Sequence, residues 1–266
     1  MESVTTVKFF RDGFFGYSTK QDFFMGSIWH ILPIALMILA IILIYKYREK
    51  IKHFKYETSV RYILAFVMMI VEMSFFWRLL YVGNQGEADT MLTYLPFQMC
   101  QWGLLVCIFT IISKNKKLFS INYYITLLFA SIALIYPLVI KNAGPRYYRY
   151  YQFWLEHILP IISVFYLMFV HDMKPEKKGI LYTFFITIPL TIIALILNNR
   201  VEGARYLYLT LDVKVLPENM ILRVAILYIL VLSIFYLMYL PFDKKDTNKN
   251  PNNKIINSNK AKDGNI

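Results

Sequence analysis

The sequence predicts an all-α fold: a polytopic membrane bundle of about seven transmembrane helices, N-terminus outside and C-terminus cytoplasmic. Three observations carry that expectation. Of the 266 residues, 58% are hydrophobic and only 17% charged, against about 25% charged residues in soluble domains. The apolar residues gather in blocks of about 18–22 with almost no charge inside. About 20 residues at about 1.5 Å each cover a hydrocarbon core of about 30 Å. Finally, Lys and Arg crowd alternate loops. A soluble enzyme and a disulfide scaffold are poor fits to this pattern.

Taken in order, the chain opens with residues 1–27, where Phe9-Phe10, Phe14-Phe15 and Phe23-Phe24 are separated by charges and glycines. Such a stretch suits the outer interface better than a cleavable leader. The first block is Ile28–Tyr45, with His30 near its outer end. The second, Val60–Tyr81, carries Glu72. The third, Leu92–Ser113, holds Pro96 and both cysteines, Cys100 and Cys107. The fourth, Leu118–Ile140, and the sixth, Gly179–Leu197, contain no charged residue. The fifth, Tyr151–Val170, carries Glu156 and His157. The seventh, Met220–Leu240, opens on Arg223. Residues 28–241 thus form one transmembrane domain. Residues 242–266, rich in Asn and Lys, have too few apolar side chains to bury a core and read as a disordered cytoplasmic tail.

Orientation follows from the basic residues, because cytoplasmic loops retain them. The first, third and fifth loops and the tail hold seventeen Lys and Arg; the N-terminal stretch and the other loops hold nine. The net charge of +12 therefore needs no nucleic-acid partner and faces anionic lipid at the cytoplasmic surface of the cell membrane. Membrane lipids are the expected partners; protein partners are not legible. Trp29, Trp77 and Trp154 fall near outer span ends, where amphipathic rings prefer to sit. Cys100 and Cys107, one heptad apart, are too far along a helix to bridge and fit neither a disulfide framework nor a CxxC metal site.

An ionisable side chain at mid-bilayer costs at least about 2.5–3.5 kcal/mol, so each needs a partner or a purpose. His30, Glu72, Cys100, His157 and Arg223 lie on five blocks, all in the outer half, and mark one candidate polar cavity. In the third block Gln98 and Gln101 share a stripe with Tyr94; in the fifth, Gln152 and Glu156 flank the face of His157. The bland readings are packing for both cysteines, an interhelical hydrogen bond for His157, a protonated carboxyl for Glu72 and solvation for His53 and His171. A metal site would need more convergent donors than His30, Glu72, Cys100 and His157 obviously supply, though those four could make one in principle, and neither a metal nor a cofactor is expected. In the last outer loop, apolar residues at alternate positions from Leu207 to Val215 suggest an extended cover or lid.

The segment Leu95-Pro96-Phe97-Gln98-Met99-Cys100-Gln101-Trp102, followed 57 residues after the cysteine by His157 in Phe153-Trp154-Leu155-Glu156-His157, resembles the YwaF-type bacterial integral membrane proteins. Those are similar in turn to a eukaryotic multi-span family described as acyltransferases making polyunsaturated ether phospholipids. The likeness covers roughly Ile28 to Leu240 and includes His30 and Glu72; where the family carries Asn-Tyr in the last outer loop, this chain has Arg205-Tyr206. The resemblance implies an intramembrane Cys/His pair, with Cys100 as nucleophile and His157 as base. His30, Glu72, Gln98, Gln101 and Glu156 would support it, in a lipid acyltransferase or lipid hydrolase. The alternative is non-enzymatic transport or binding of a small molecule in the same polar pocket.

Overall fold

A computed structural model describes residues 13–16, 18, 20–83, 95–201, 204–209 and 216–243. Among them seven helical spans follow one another: α1 (Ile28–Lys52), α2 (Glu57–Gly83), α3 (Met99–Ser113), α4 (Lys116–Ile135), α5 (Tyr148–Val170), α6 (Lys177–Arg200) and α7 (Met220–Tyr239). No strand occurs among the described residues. Six spans are long and apolar enough to cross a membrane, while α3 is apolar but only 15 residues long. The C-terminal tail beyond 243 and most of the N-terminal stretch before 20 lie outside the described residues.

The helix α5 is the hub, packing against α1, α2, α3 and α4; α6 leans on α4, and α7 on α6. Each contact has a local cause. Pro33 inside α1 lacks an N–H and so frees the carbonyl of Trp29; that oxygen accepts a hydrogen bond from the Tyr150 hydroxyl at 2.6 Å, pinning α1 to α5. Gly179 lets α6 press on α4, since a Cβ there would collide with the Ser120 side chain. Gly103 does the same for α3, where a Cβ would stand 3.0 Å from Thr126 Oγ1. Thr126 opens a π-helical turn, Thr126–Ala130, in the middle of α4.

Contacts between loops and helix ends place the lysine-rich turns at one end of the bundle. Lys52 Nζ donates to Asp172 Oδ2 at 2.7 Å, and that bond holds the Asp172 carboxyl below its ordinary value. Beside it lies a buried ion cluster. Glu57 Oε1 accepts from Arg61 Nε at 2.8 Å, from the Tyr166 hydroxyl at 2.7 Å and from His171 Nε2 at 2.7 Å. Arg61 Nη1 also donates to the carbonyls of Ile111 (2.7 Å) and Ile112 (3.2 Å). Those are among the last, intrinsically unpaired carbonyls of α3, so Arg61 caps that helix. His171 is therefore not the solvated residue the sequence suggests; burial pulls its imidazole below the ordinary value. His53 is exposed, as expected.

The tryptophans divide. Trp29 and Trp77 are exposed, whereas Trp154 is buried with Phe23 and Tyr150 in a second apolar cluster. The Trp154 ring fills the space between α5 and the N-terminal stretch, which is stitched down by Ser18, Asp22 and Phe23 amides on the carbonyls of Asn142 and Lys141.

Candidate functional site

The site begins where α3 begins. An apolar run suggests helix from Leu92; residues 92–94 lie outside the described residues, 95–98 are not helical, and α3 starts at Met99, with Gln98 extended before it. Pro96 is the physical reason: its ring disfavours helical geometry at the residue before it. The Leu95 amide instead bonds to the Tyr206 hydroxyl at 2.7 Å. Cys100 therefore stands in the first turn of α3, where amide N–H groups have no intrahelical acceptor. The Gln101 amide approaches its sulfur.

Gln101 reaches both ways. Its Oε1 accepts from the Gln98 amide at 3.3 Å, and its Nε2 donates to Glu72 Oε1 on α2 at 3.1 Å. The other carboxylate oxygen of Glu72 is buried and has no hydrogen-bond partner among the described residues. From α5, His157 Nδ1 contacts the Phe153 carbonyl at 2.7 Å. A carbonyl only accepts, so Nδ1 carries the hydrogen and Nε2 keeps its lone pair. The Cys100 sulfur, a Glu156 carboxylate oxygen and a ring nitrogen of His157 all lie within 4.8 Å of one another.

A second layer fixes Glu156. Its Oε2 accepts from Gln152 Nε2 at 2.9 Å and from Arg149 Nη1 at 3.2 Å, and Arg149 also bonds Gln152 Oε1. The Arg149 guanidinium lies 4.6 Å over the Phe75 ring. Arg149 falls in a loop by sequence; in the fold it occupies the first turn of α5 and turns inward. The signal available is its spacing of three to Gln152 and seven to Glu156, one helical face.

The other expected members are placed elsewhere. His30 spends both ring nitrogens, Nδ1 accepting from the Gly26 amide and Nε2 donating to the Leu134 carbonyl, each at 2.9 Å. It fastens the start of α1 to the end of α4, and among the described residues no hydrogen bond joins it to Cys100 or Glu72. Gln98 faces the last long loop, accepting from the Leu207 amide at 3.0 Å and donating to the Arg205 carbonyl at 3.4 Å. Cys107 is fully buried, its thiol directed at the Pro160 carbonyl. Arg223 donates to the carbonyls of Leu209 and Pro217.

That loop is a 3-10 turn at Tyr206–Tyr208, not the extended strand its alternation suggests; positions 210–215 lie outside the described residues. Leu207 takes φ +54, a left-handed conformation costly for a branched side chain. Asn198 on α6 holds the turn by bracketing Tyr206, accepting from its amide at 2.7 Å and donating to its carbonyl at 3.0 Å. The loop is thereby tied over the start of α3.

A family model described as the TMEM164 family matches residues 18–242. The chain belongs to the TMEM164 family. Neither a curated protein nor a solved structure matches it. In this TMEM164 family member, then, α2, α3 and α5 bring together a thiol, an imidazole with a free lone pair, two carboxylates and the amide end of a helix.

Proposed function

We propose that this TMEM164 family protein is a cell-membrane lipid acyltransferase or lipid hydrolase, N-terminus outside, working in the outer half of the bilayer with Cys100 as nucleophile and His157 as base. The observation that carries the proposal is the approach of the Cys100 sulfur and a His157 ring nitrogen to within 4.8 Å, a span that a side-chain rotation closes to the roughly 2.6–3.2 Å needed for proton transfer. The likeness of Leu95–Trp102 and Phe153–His157 to YwaF-type proteins points the same way. The bias of Lys and Arg towards the opposite end supports the outer placement.

In this reading His157 Nε2 takes the thiol proton while the sulfur attacks the carbonyl carbon of an acyl ester. A C–S bond forms, the ester C–O bond breaks, and His157 returns the proton to the departing lysolipid oxygen. A lysolipid hydroxyl or water then attacks the thioester and gives its proton to His157; a C–O bond forms, the C–S bond breaks, and His157 returns the proton to the departing Cys100 sulfur. Amide N–H groups in the first turn of α3 are available to the developing oxyanion, the kind of donor whose removal costs about 10²–10³ in rate. Phe153, through its carbonyl, and not a carboxylate, is the group that orients the imidazole.

The test is lipidomics of cells lacking the protein, complemented with the natural chain or with Cys100→Ala or His157→Ala. Restoration of acyl-chain composition by the natural chain alone, at equal protein level, supports the enzyme. If Cys100→Ala restores it fully and an alkylating lipid-like probe does not label Cys100, nucleophilic catalysis is wrong. Solute uptake into proteoliposomes that survives Cys100→Ser would then favour transport.

A further inference from the structure

We infer that Cys100, Glu156 and His157, with the Glu72 carboxyl as their acidic neighbour, form a binding site for a soft divalent cation of the Zn²⁺ class. Sulfur, carboxylate oxygen and imidazole nitrogen already lie within 4.8 Å of one another. A tetrahedral zinc with bonds of about 2.0–2.3 Å needs donor separations of about 3.3–3.8 Å, so the three have about 1 Å to close, within reach of side-chain rotation. Their surroundings are arranged as a metal site requires. His157 gives Nδ1 to a backbone carbonyl at 2.7 Å, the kind of contact that fixes tautomer and ring direction in metal-binding histidines and leaves Nε2 for the metal. Glu156 has Oε2 held by Gln152 and Arg149, leaving its second oxygen for a cation.

An independent observation comes from α2. Glu72 is only 4% exposed, and its Oε2 is a buried oxygen with no hydrogen-bond partner among the described residues, while its Oε1 is tied to Gln101, the neighbour of Cys100. Glu72 and Glu156 also interact electrostatically. Two carboxyls and a thiol face one guanidinium, Arg149, so deprotonating all three for ligation leaves an excess of negative charge. A dication offsets it; on binding, the thiol proton passes to water. His30 is excluded as a donor by its bonds to Gly26 and Leu134. The regulatory consequence rests on the proposed function: a cation on the Cys100 sulfur withholds the nucleophile and stops acyl transfer until it leaves.

The experiment uses the full chain in lipid nanodiscs with Co²⁺ as the probe. The expected result is a near-ultraviolet sulfur-to-cobalt band that Zn²⁺ displaces, that Cys100→Ser removes, and whose Co²⁺ affinity falls at least about tenfold in Glu72→Gln and His157→Gln. Because those variants alter buried groups, the unaltered chain supplies a second measurement: Zn²⁺ slows maleimide labelling of Cys100 and leaves Cys107 unchanged. Absence of the band, its persistence in Cys100→Ser, or Cys100 labelling indifferent to Zn²⁺ overturns the site. Acyl transfer by a chain that binds no cation removes the metal site and leaves the enzyme standing; a cobalt band in a chain without acyl transfer does the reverse.

Discussion

Two buried polar clusters sit at opposite ends of the bundle, and they are built on different principles. At the basic end, Glu57 is met by Arg61, Tyr166 and His171 on one oxygen and by Thr58 on the other, and Arg61 spends further hydrogens on Ile111 and Ile112. At the opposite end, Glu72 keeps an unpartnered buried oxygen, His157 keeps a lone pair and Cys100 keeps its sulfur near both. A fully satisfied buried network fixes helices in place, whereas one with reserved valences is tolerated where something else is meant to complete it. The first cluster reads as architecture and the second as chemistry.

That contrast can be broken by substitution. The largest effect expected is on activity: Cys100→Ala abolishes lipid remodelling in the lipidomics assay, while the unfolding temperature in detergent moves by no more than about 2–4 °C, equivalent to about 1 kcal/mol for a chain of this size. Next comes Arg61→Met, which strands the Glu57 charge and costs about 3–5 kcal/mol of stability, read as a lower unfolding temperature; a drop as small as that of Cys100→Ala would dissolve the distinction.

The pair Glu57→Gln and Glu72→Gln sharpens it further. The former loses charge-assisted bonds worth about 1.5–3 kcal/mol, while the latter replaces a buried carboxyl that is incompletely hydrogen-bonded and leaves the unfolding temperature unchanged or raised. Tyr206→Phe gives up the bond to the Leu95 amide and costs about 0.5–1.5 kcal/mol, with more labelling of Cys100 as the loop over α3 loosens. The smallest effect is on pH. Burial holds His171 below its ordinary value, so below about pH 6.5 the unfolded chain binds more protons than the folded one. Stability is then full above that pH and declines on acidification towards the folded value; His171→Asn should flatten this slope in a pH series of unfolding temperatures.

The spans are legible because a charge-free apolar block has few other uses: six of the seven contain a helix long and apolar enough to cross a membrane, and the third holds the shorter α3. The start of α3 is harder to read. Leu92 to Phe97 continue the apolar run, and only the backbone restriction at Pro96 tells that the helix waits until Met99. Glu57 and Arg61 carry an i,i+4 signal, obscured by lying at the edge of a block. His30 has the residue type and depth of a site member, but its partners, Gly26 and Leu134, are fixed by a turn and by another helix end. Period two in the last loop fails at Tyr206–Tyr208 because Gln98 and Asn198 supply the bonds that a neighbouring strand would. Nothing in the spacing of Cys100 and His157 brings them together; the packing of α3 on α5 does.

The shortness of α3 has a kinetic consequence. From Ser113 up to Cys100 the helix rises only about 20 Å, against a hydrocarbon core about 30 Å thick, so under the proposed function the sulfur works at a depth where an acyl ester travels but a dissolved solute is scarce. The proposed enzyme, so placed, would sample its substrate in two dimensions. Its rate then follows the mole fraction of the lipid in the bilayer and not the molarity in the tube, and inert lipid added at constant bulk substrate should slow it by dilution alone.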